Sequence, residues 1–317
     1  MESTIWTEKY RPKQLDEIVG QDAIVKQLKK MVEQKDLPHC LFSGPPGTSK
    51  TTTALCIARE LYGEETYQYN FMELNASDER GIGVVRNNIK KFARALPVGD
   101  VPFKILVLDE ADHLTSDAQH ALRRTMEEYS STCRFILICN YSSKIIPPIQ
   151  SRCAIFRFNA LSDESISERL NYIAKKENIN LTKDGLGAIL YVCEGDMRVA
   201  INLLQSAAAL DSNITAENVY KVAGRASPKD IEKLVNTSIH GEFESALQII
   251  DDLIIGQGIS PEDLLKQIHL AVKQLDIEES KKIKILHEIG NIDFQLSQGA
   301  SGKIQISSLI AFMAQLR

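Results

Sequence analysis

Eight residues, Gly44-Pro45-Pro46-Gly47-Thr48-Ser49-Lys50-Thr51, constrain this chain more than any other stretch. They follow the apolar run from His39 to Ser43. After them comes a helical pattern with Ala54, Ile57, Ala58 and Leu61 at i, i+3, i+4 and i+7, ending at Gly63. A strand, a glycine-bearing loop and a helix in that order aim successive backbone N–H groups and a helix N-terminus at a phosphate. Gly44, Pro45, Pro46, Gly47, Thr48 and Ser49 then cradle the anion, Lys50 reaches the β and γ oxygens, and the Thr51 hydroxyl holds Mg²⁺. Ser49 stands where G-x-x-x-x-G-K-[ST] expects its second glycine. Serine is small and its hydroxyl is able to cap the helix, so the loop is expected to survive the exchange.

Around this loop, the first half of the chain alternates short β-rich runs with helical patterns. That predicts a parallel sheet covered on both faces. Candidate strands run from His39 to Ser43, Tyr69 to Leu74, Phe103 to Leu108, Arg134 to Cys139 and Ala154 to Phe158. The third and fourth are almost wholly apolar, as befits central strands buried on two sides. Ser116-x-x-Gln119 reads as a capping box opening a helix through Glu128.

Leu108-Asp109-Glu110-Ala111-Asp112 ends one of those buried strands. Carboxylates there are costly unless they meet a metal, a proton or water at the sheet edge. Asp109 is expected to orient hydrated Mg²⁺ and Glu110 to activate an attacking water; a solvated acidic turn suits Asp112 alone. The Asp-Glu-Ala-Asp string also occurs in RNA helicases, but here it lies 59 residues after Lys50, a spacing unlike theirs. Asn140 ends the next apolar strand, where a side-chain amide either orients water against a γ-phosphate or caps the loop. Arg152, in Ser151-Arg152-Cys153, has no obvious carboxylate neighbour in sequence, which fits an arginine that reaches for a transition state; an ordinary surface arginine is the alternative. Arg198 opens a later helix on its polar side with Asn202 and Gln205, placed either to lean over a nucleotide or to stand in solvent.

Beyond about Asn159 the strand signals stop. Ser162 and Thr182 read as helix N-caps, Thr215 starts a further short helix, Gly195-Asp196 opens another, and Ser227-Pro228 and Ser260-Pro261 begin two more. Three domains are expected: α/β over 1–160, a small helical domain over 161–225, and a helical domain over 226–317. The 317 residues are 44% hydrophobic and 25% charged, which excludes disordered, fibrous and disulfide-scaffold classes. No apolar run approaches the roughly 18 residues of a membrane span, and the first residues carry no secretion signal, so a soluble cytoplasmic protein is expected. The six cysteines form no CxxC pair and lie mostly in apolar runs, as buried reduced thiols do.

Taken together, the motifs resemble one family. Trp6-Thr7-Glu8-Lys9-Tyr10-Arg11-Pro12, Asp16-Glu17-Ile18-Val19-Gly20-Gln21, the phosphate loop, Leu74-Asn75-Ala76-Ser77-Asp78-Glu79-Arg80-Gly81-Ile82, Asp109 to Asp112, Ser151-Arg152-Cys153 and Gly195-Asp196-Met197-Arg198 occur in this order. The set resembles the small subunit of replication factor C, the AAA+ sliding-clamp loader, in its archaeal form. The likeness is strong over about residues 2–210 and extends further by length and helical character. Ser49 is its one clear departure. The resemblance implies an AAA+ α/β domain, a helical lid and an all-α collar that closes a five-membered ring of four small subunits and one large subunit. It implies ATP and Mg²⁺ as ligands, with Arg11 and Val19 in segments lining the adenine pocket, Asn140 as first sensor and Arg198 as second. Arg152 would act in trans on ATP held by the neighbouring subunit. Such rings open a sliding clamp and place it at a primer–template junction; a nuclear location would apply to a eukaryotic source.

Net charge is −5, but the balance is +1 over residues 1–160 and −6 over the rest. From Arg80 to Arg94 five residues are basic and none acidic. The charge run alone would suit a solvated helix face, but with the family resemblance Arg80, Arg86, Lys90 and Lys91 are expected to face the DNA backbone, with Arg86 and Lys90 four apart on one helical face. Two alternatives belong to other classes: a ring subunit that is structural and does not hydrolyse ATP, and an AAA+ branch-migration motor. The motor needs a winged-helix or pore-loop element, and residues 226–317 show no β-wing pattern.

Overall fold

In a computed structural model, the described residues are 5–77, 83 and 88–316. They divide into two compact units. One ends at Asn178 and resumes over Leu190–Gln205; the other comprises Ile179–Ile189 and Ser206 onward.

The first unit is built on five parallel strands: β1 (Cys40–Ser43), β2 (Phe71–Asn75), β3 (Lys104–Asp109), β4 (Cys133–Cys139) and β5 (Ala154–Arg157), in the order β2-β3-β4-β1-β5. Successive side chains on a strand point to opposite faces, and both faces here are covered. Phe42, Ile105, Val107, Ile136 and Ile138 join one core with Ile57, Phe103, Phe156 and Phe158. Leu41, Leu106, Leu108, Phe135 and Leu137 join the other with Leu122 and Met126. That division explains why β3 and β4 read as unbroken apolar runs. Each large side chain so buried contributes about 1.5–3 kcal/mol.

The helices α1 (Trp6–Lys9), α2 (Asp22–Glu33) and α3 (Lys50–Asn70) precede β2. The expected stop at Gly63 is a break rather than an end. Its φ of 63° and ψ of −178° interrupt α3, and helical turns resume to Asn70, so β2 begins at Phe71 instead of Tyr69. Next come α4 (Lys90–Arg94) and α5 (Ser116–Glu128), the latter with the expected span but a different cap. Thr115, not Ser116, accepts from Ala118 N; Gln119 is buried and ties the helix to the Lys144 carbonyl and the Ile146 N–H. In a capping box the side chain three residues on must reach back outside the helix. Gln119 faces inward.

α6 (Pro147–Gln150) and α7 (Asp163–Lys176) follow, the second capped by Ser162 as expected. α8 (Lys183–Cys193) and α9 (Met197–Leu210) come next. In the second unit β6 (Asn180–Leu181) pairs in parallel with β7 (Asn213–Ile214), and Thr215 caps α10 (Ala216–Ala223). Five longer helices complete it: α11 (Pro228–Ile239), α12 (Phe243–Asp251), α13 (Pro261–Gln274), α14 (Glu279–Ser297) and α15 (Gly302–Gln315). They enclose their own apolar core, including Leu234, Ile250, Ile268, Ile289 and Ile310. Ser227 and Ser260 cap α11 and α13 with proline in the first turn. The six cysteines are free, five buried and Cys153 half-buried. Among the described residues no helix is long and apolar enough to cross a membrane.

Candidate functional site

Parallel strands bring their C-terminal ends to one edge of the sheet. β1 opens into the phosphate loop there, with β4 beside it and β3 beyond, so Gly44, Asn140 and Asp109 leave neighbouring strands together. The loop's shape comes from its backbone. Gly44 (φ 151°) passes so close to Phe158 that a Cβ would lie 2.1 Å from its carbonyl oxygen. Gly47 (φ 66°) abuts Asp196. The Pro45 carbonyl accepts from Thr48 Oγ1 at 2.9 Å, which tightens the turn. Ser49 adopts a left-handed conformation (φ 71°, ψ 18°), the geometry for which glycine is the natural residue. Its hydroxyl makes no capping bond to α3, contrary to the expectation; its carbonyl accepts from Thr53 N and Oγ1 instead.

Lys50 is 8% exposed and its ammonium donates to Gly44 O at 2.8 Å, Pro45 O at 2.6 Å and Asn140 Oδ1 at 3.4 Å. Burial pushes its pKa below the usual lysine value, while the Asp109 charge opposes that. A phosphate would strengthen the opposing effect, so the site favours an anion beside Lys50. Thr51 Oγ1 donates to Asp109 Oδ2 at 2.6 Å, joining the two residues expected to hold Mg²⁺. Asp109 Oδ1 accepts from Glu110 N at 2.8 Å. Glu110 is itself left-handed (φ 53°), and its carboxylate lies 3.3 Å from His113 Nδ1. Asp112 corrects the solvated-turn expectation: the 3₁₀ turn Ala111–His113 tucks it in at 9% exposure, near enough to act on Cys139 and Lys50.

One cleft is lined by Pro46, Gly47, Thr48, Ser49, Lys50, Thr51, Asp109, Glu110 and Asn140 together with Arg11, Val19 and Arg198. Arg11 Nη2 pairs with Glu8 Oε1 at 2.9 Å. Thr52 and Arg169 also line this cleft without a sequence signal to single them out, and so do Met197, from the Gly195-Asp196-Met197-Arg198 motif, and Ile201 one turn later. Arg169, on α7, donates to the Tyr10 carbonyl and pins the segment that carries Arg11. Asp196 was legible as a helix opener but not as a neighbour of the loop. Its Oδ1 accepts from Arg198 N and Val199 N, and Met197 N donates to Gly47 O at 3.2 Å. The start of α9 is thereby set against the phosphate loop with Arg198 at the cleft.

Arg152 is absent from this cleft, and it is not unpaired. Its Nη2 lies 2.6 Å from Glu127 Oε1, a partner 25 residues earlier that folding brings to it. Arg80 and Arg86 lie outside the described residues. Lys91 is exposed, whereas Lys90 sits 3.2 Å from Glu128 and over the Tyr129 ring, so the basic stripe has an acidic partner after all.

A phosphate loop, paired strand-end carboxylates and a strand-end amide on this sheet define an AAA+ ATPase. Comparison bears this out: residues 40–161 match the ATPase family associated with various cellular activities (AAA), 168–209 an RCF1/5-like AAA+ ATPase lid domain, and 226–312 the replication factor C C-terminal domain. The replication factor C small subunit of Methanococcus maripaludis is 55% identical over 311 residues, 98% of each chain. That of Archaeoglobus fulgidus is 50% identical over 312 residues, again 98% of each. The chain belongs to the replication factor C small-subunit family and binds and hydrolyses ATP as part of an oligomeric clamp-loader complex. The Thermotoga maritima RuvB Holliday junction branch migration motor has a similar fold (TM-score 0.55, 21% identity, 81% of this chain and 91% of that one). At that identity the likeness is one of fold alone.

Proposed function

We propose that this chain uses ATP to help open a ring-shaped sliding clamp and set it on primer–template DNA, within a cytoplasmic pentamer of four small subunits and one large subunit. The observation that carries the site assignment is the Thr51–Asp109 contact, 2.6 Å between two hard oxygen donors beside Lys50. Thr51 and Asp109 suit Mg²⁺, which when bound would offset the negative charge of the β- and γ-phosphates. Lys50 and the loop N–H groups bind those phosphates, Arg198 reaches them from α9, and Arg11 and Val19 line the adenine side. Glu110 accepts the proton of the attacking water while the Asn140 amide orients it. Arg152 acts on the ATP of the neighbouring subunit, which accords with its absence from its own cleft. Residues 1–160, 161–225 and 226–317 serve as ATPase, lid and collar, and Arg80, Arg86, Lys90 and Lys91 track the DNA backbone.

ATP turnover measured with and without primed DNA and clamp tests this. Stimulation that requires both is expected, and Lys50→Ala abolishes nucleotide binding. Turnover indifferent to the clamp would favour a motor, and no turnover in the full assembly would favour a structural ring member.

A further inference from the structure

Arg152 follows α6, and three groups of its own chain hold its guanidinium. Nη1 donates to Pro148 O at 2.7 Å and Ser151 Oγ at 3.2 Å, while Nη2 meets Glu127 Oε1 at 2.6 Å. The same Glu127 oxygen accepts from Arg123 Nε at 3.1 Å, one turn earlier on α5. A single carboxylate oxygen thus joins two guanidinium groups from different elements. Without it the two cations would repel and splay apart. The pairing holds the Glu127 carboxyl below its usual range, chiefly through the Arg123 hydrogen bond, with the Arg152 charge adding to it.

We infer that Glu127 is a positioning residue for Arg152, ordering the guanidinium at the domain edge before a neighbour's triphosphate meets it. This rests on the reading of Arg152 as the arginine that acts across the subunit seam. A free arginine side chain has much rotamer freedom to lose when it docks on a phosphate. Ordering it beforehand removes that cost from the hydrolytic step. The carboxylate is 40% exposed, so its pair with Arg152 exchanges readily for phosphate oxygens. Arg123 keeps Glu127 in place during the exchange.

ATP turnover of the assembled complex, with primed DNA and clamp, tests the assignment in Glu127→Ala, Glu127→Gln, Arg152→Ala and the Glu127→Ala/Arg152→Ala combination. Glu127→Ala is expected to lower kcat about tenfold at unchanged KM for ATP and unchanged thermal midpoint. Glu127→Gln, whose amide oxygen still accepts, recovers most of that loss. Adding Glu127→Ala to Arg152→Ala costs nothing further. An unchanged or raised kcat in Glu127→Ala overturns the assignment, as does an extra loss on the Arg152→Ala background. Normal turnover by Arg152→Ala overturns the trans reading itself, and this inference with it.

Discussion

Gly47 and Asp196 approach so closely that a Cβ on the first would lie 1.8 Å from a carboxylate oxygen of the second. The phosphate loop and the N-cap of α9 are thus one assembly although 149 residues separate them in sequence. Asp196 cannot swing aside freely, because its oxygen holds the N–H groups of Arg198 and Val199.

Gly47→Ala should therefore weaken ATP binding by at least about tenfold, since the loop must move or α9 must lose a cap worth about 1 kcal/mol. Positive φ at position 47 adds about 1–2 kcal/mol of backbone strain. Fluorescent-nucleotide titration measures the first effect and urea unfolding the second. Asp196→Ala in the Gly47→Ala background relieves the overlap and leaves the strain, so it restores affinity only in part.

Ser49 makes the complementary case. Its left-handed backbone (φ 71°) is a cost of about 1 kcal/mol that glycine would not bear. Ser49→Gly is expected to keep ATP turnover and to hold or raise the urea midpoint, the gain being trimmed by a looser unfolded chain. Ser49→Val, β-branched at the same φ, should lose stability by about 1–2 kcal/mol and impair binding.

His39 predicts a pH dependence. Burial, reinforced by the Arg134 charge, lowers its pKa to about 4 from 6.5, and its Nδ1 lies 3.1 Å from the Phe135 N–H. The unfolded chain takes up the proton first as pH falls. Stability from this group is thus complete above pH 6.5 and is lost between about 6.5 and 4, at most about 3 kcal/mol. His39→Asn, which keeps an acceptor for Phe135 and does not titrate, should flatten urea midpoints across that window.

Much of this fold was legible because β3 and β4 are buried on two faces, which leaves no polar alternation to misread. Local chemistry marked the caps at Ser162, Thr215, Ser227 and Ser260. The loop, Asp109, Glu110 and Asn140 were legible for the same reason: each ends a strand in a recognisable string. What escaped depends on residues distant in sequence. Gln119 is buried by its bonds to Lys144 and Ile146, Arg169 matters through Tyr10, and Arg152 and Lys90 find Glu127 and Glu128 only once α5 is in place. Periodicity carries no record of such meetings.

We propose that each ATP is shared by two subunits, cradled by Lys50 of one and completed by Arg152 of the next. Arg152→Ala alone should bind ATP normally and hydrolyse it slower by a factor on the order of 10³. The most direct test mixes Arg152→Ala subunits with Glu110→Gln subunits and measures ATP turnover with clamp and primed DNA. Recovered activity is predicted, because an intact Glu110 site then meets an intact Arg152 from its neighbour. If the mixture stays as inactive as either variant alone, the two residues serve the same subunit's ATP and the account is contradicted.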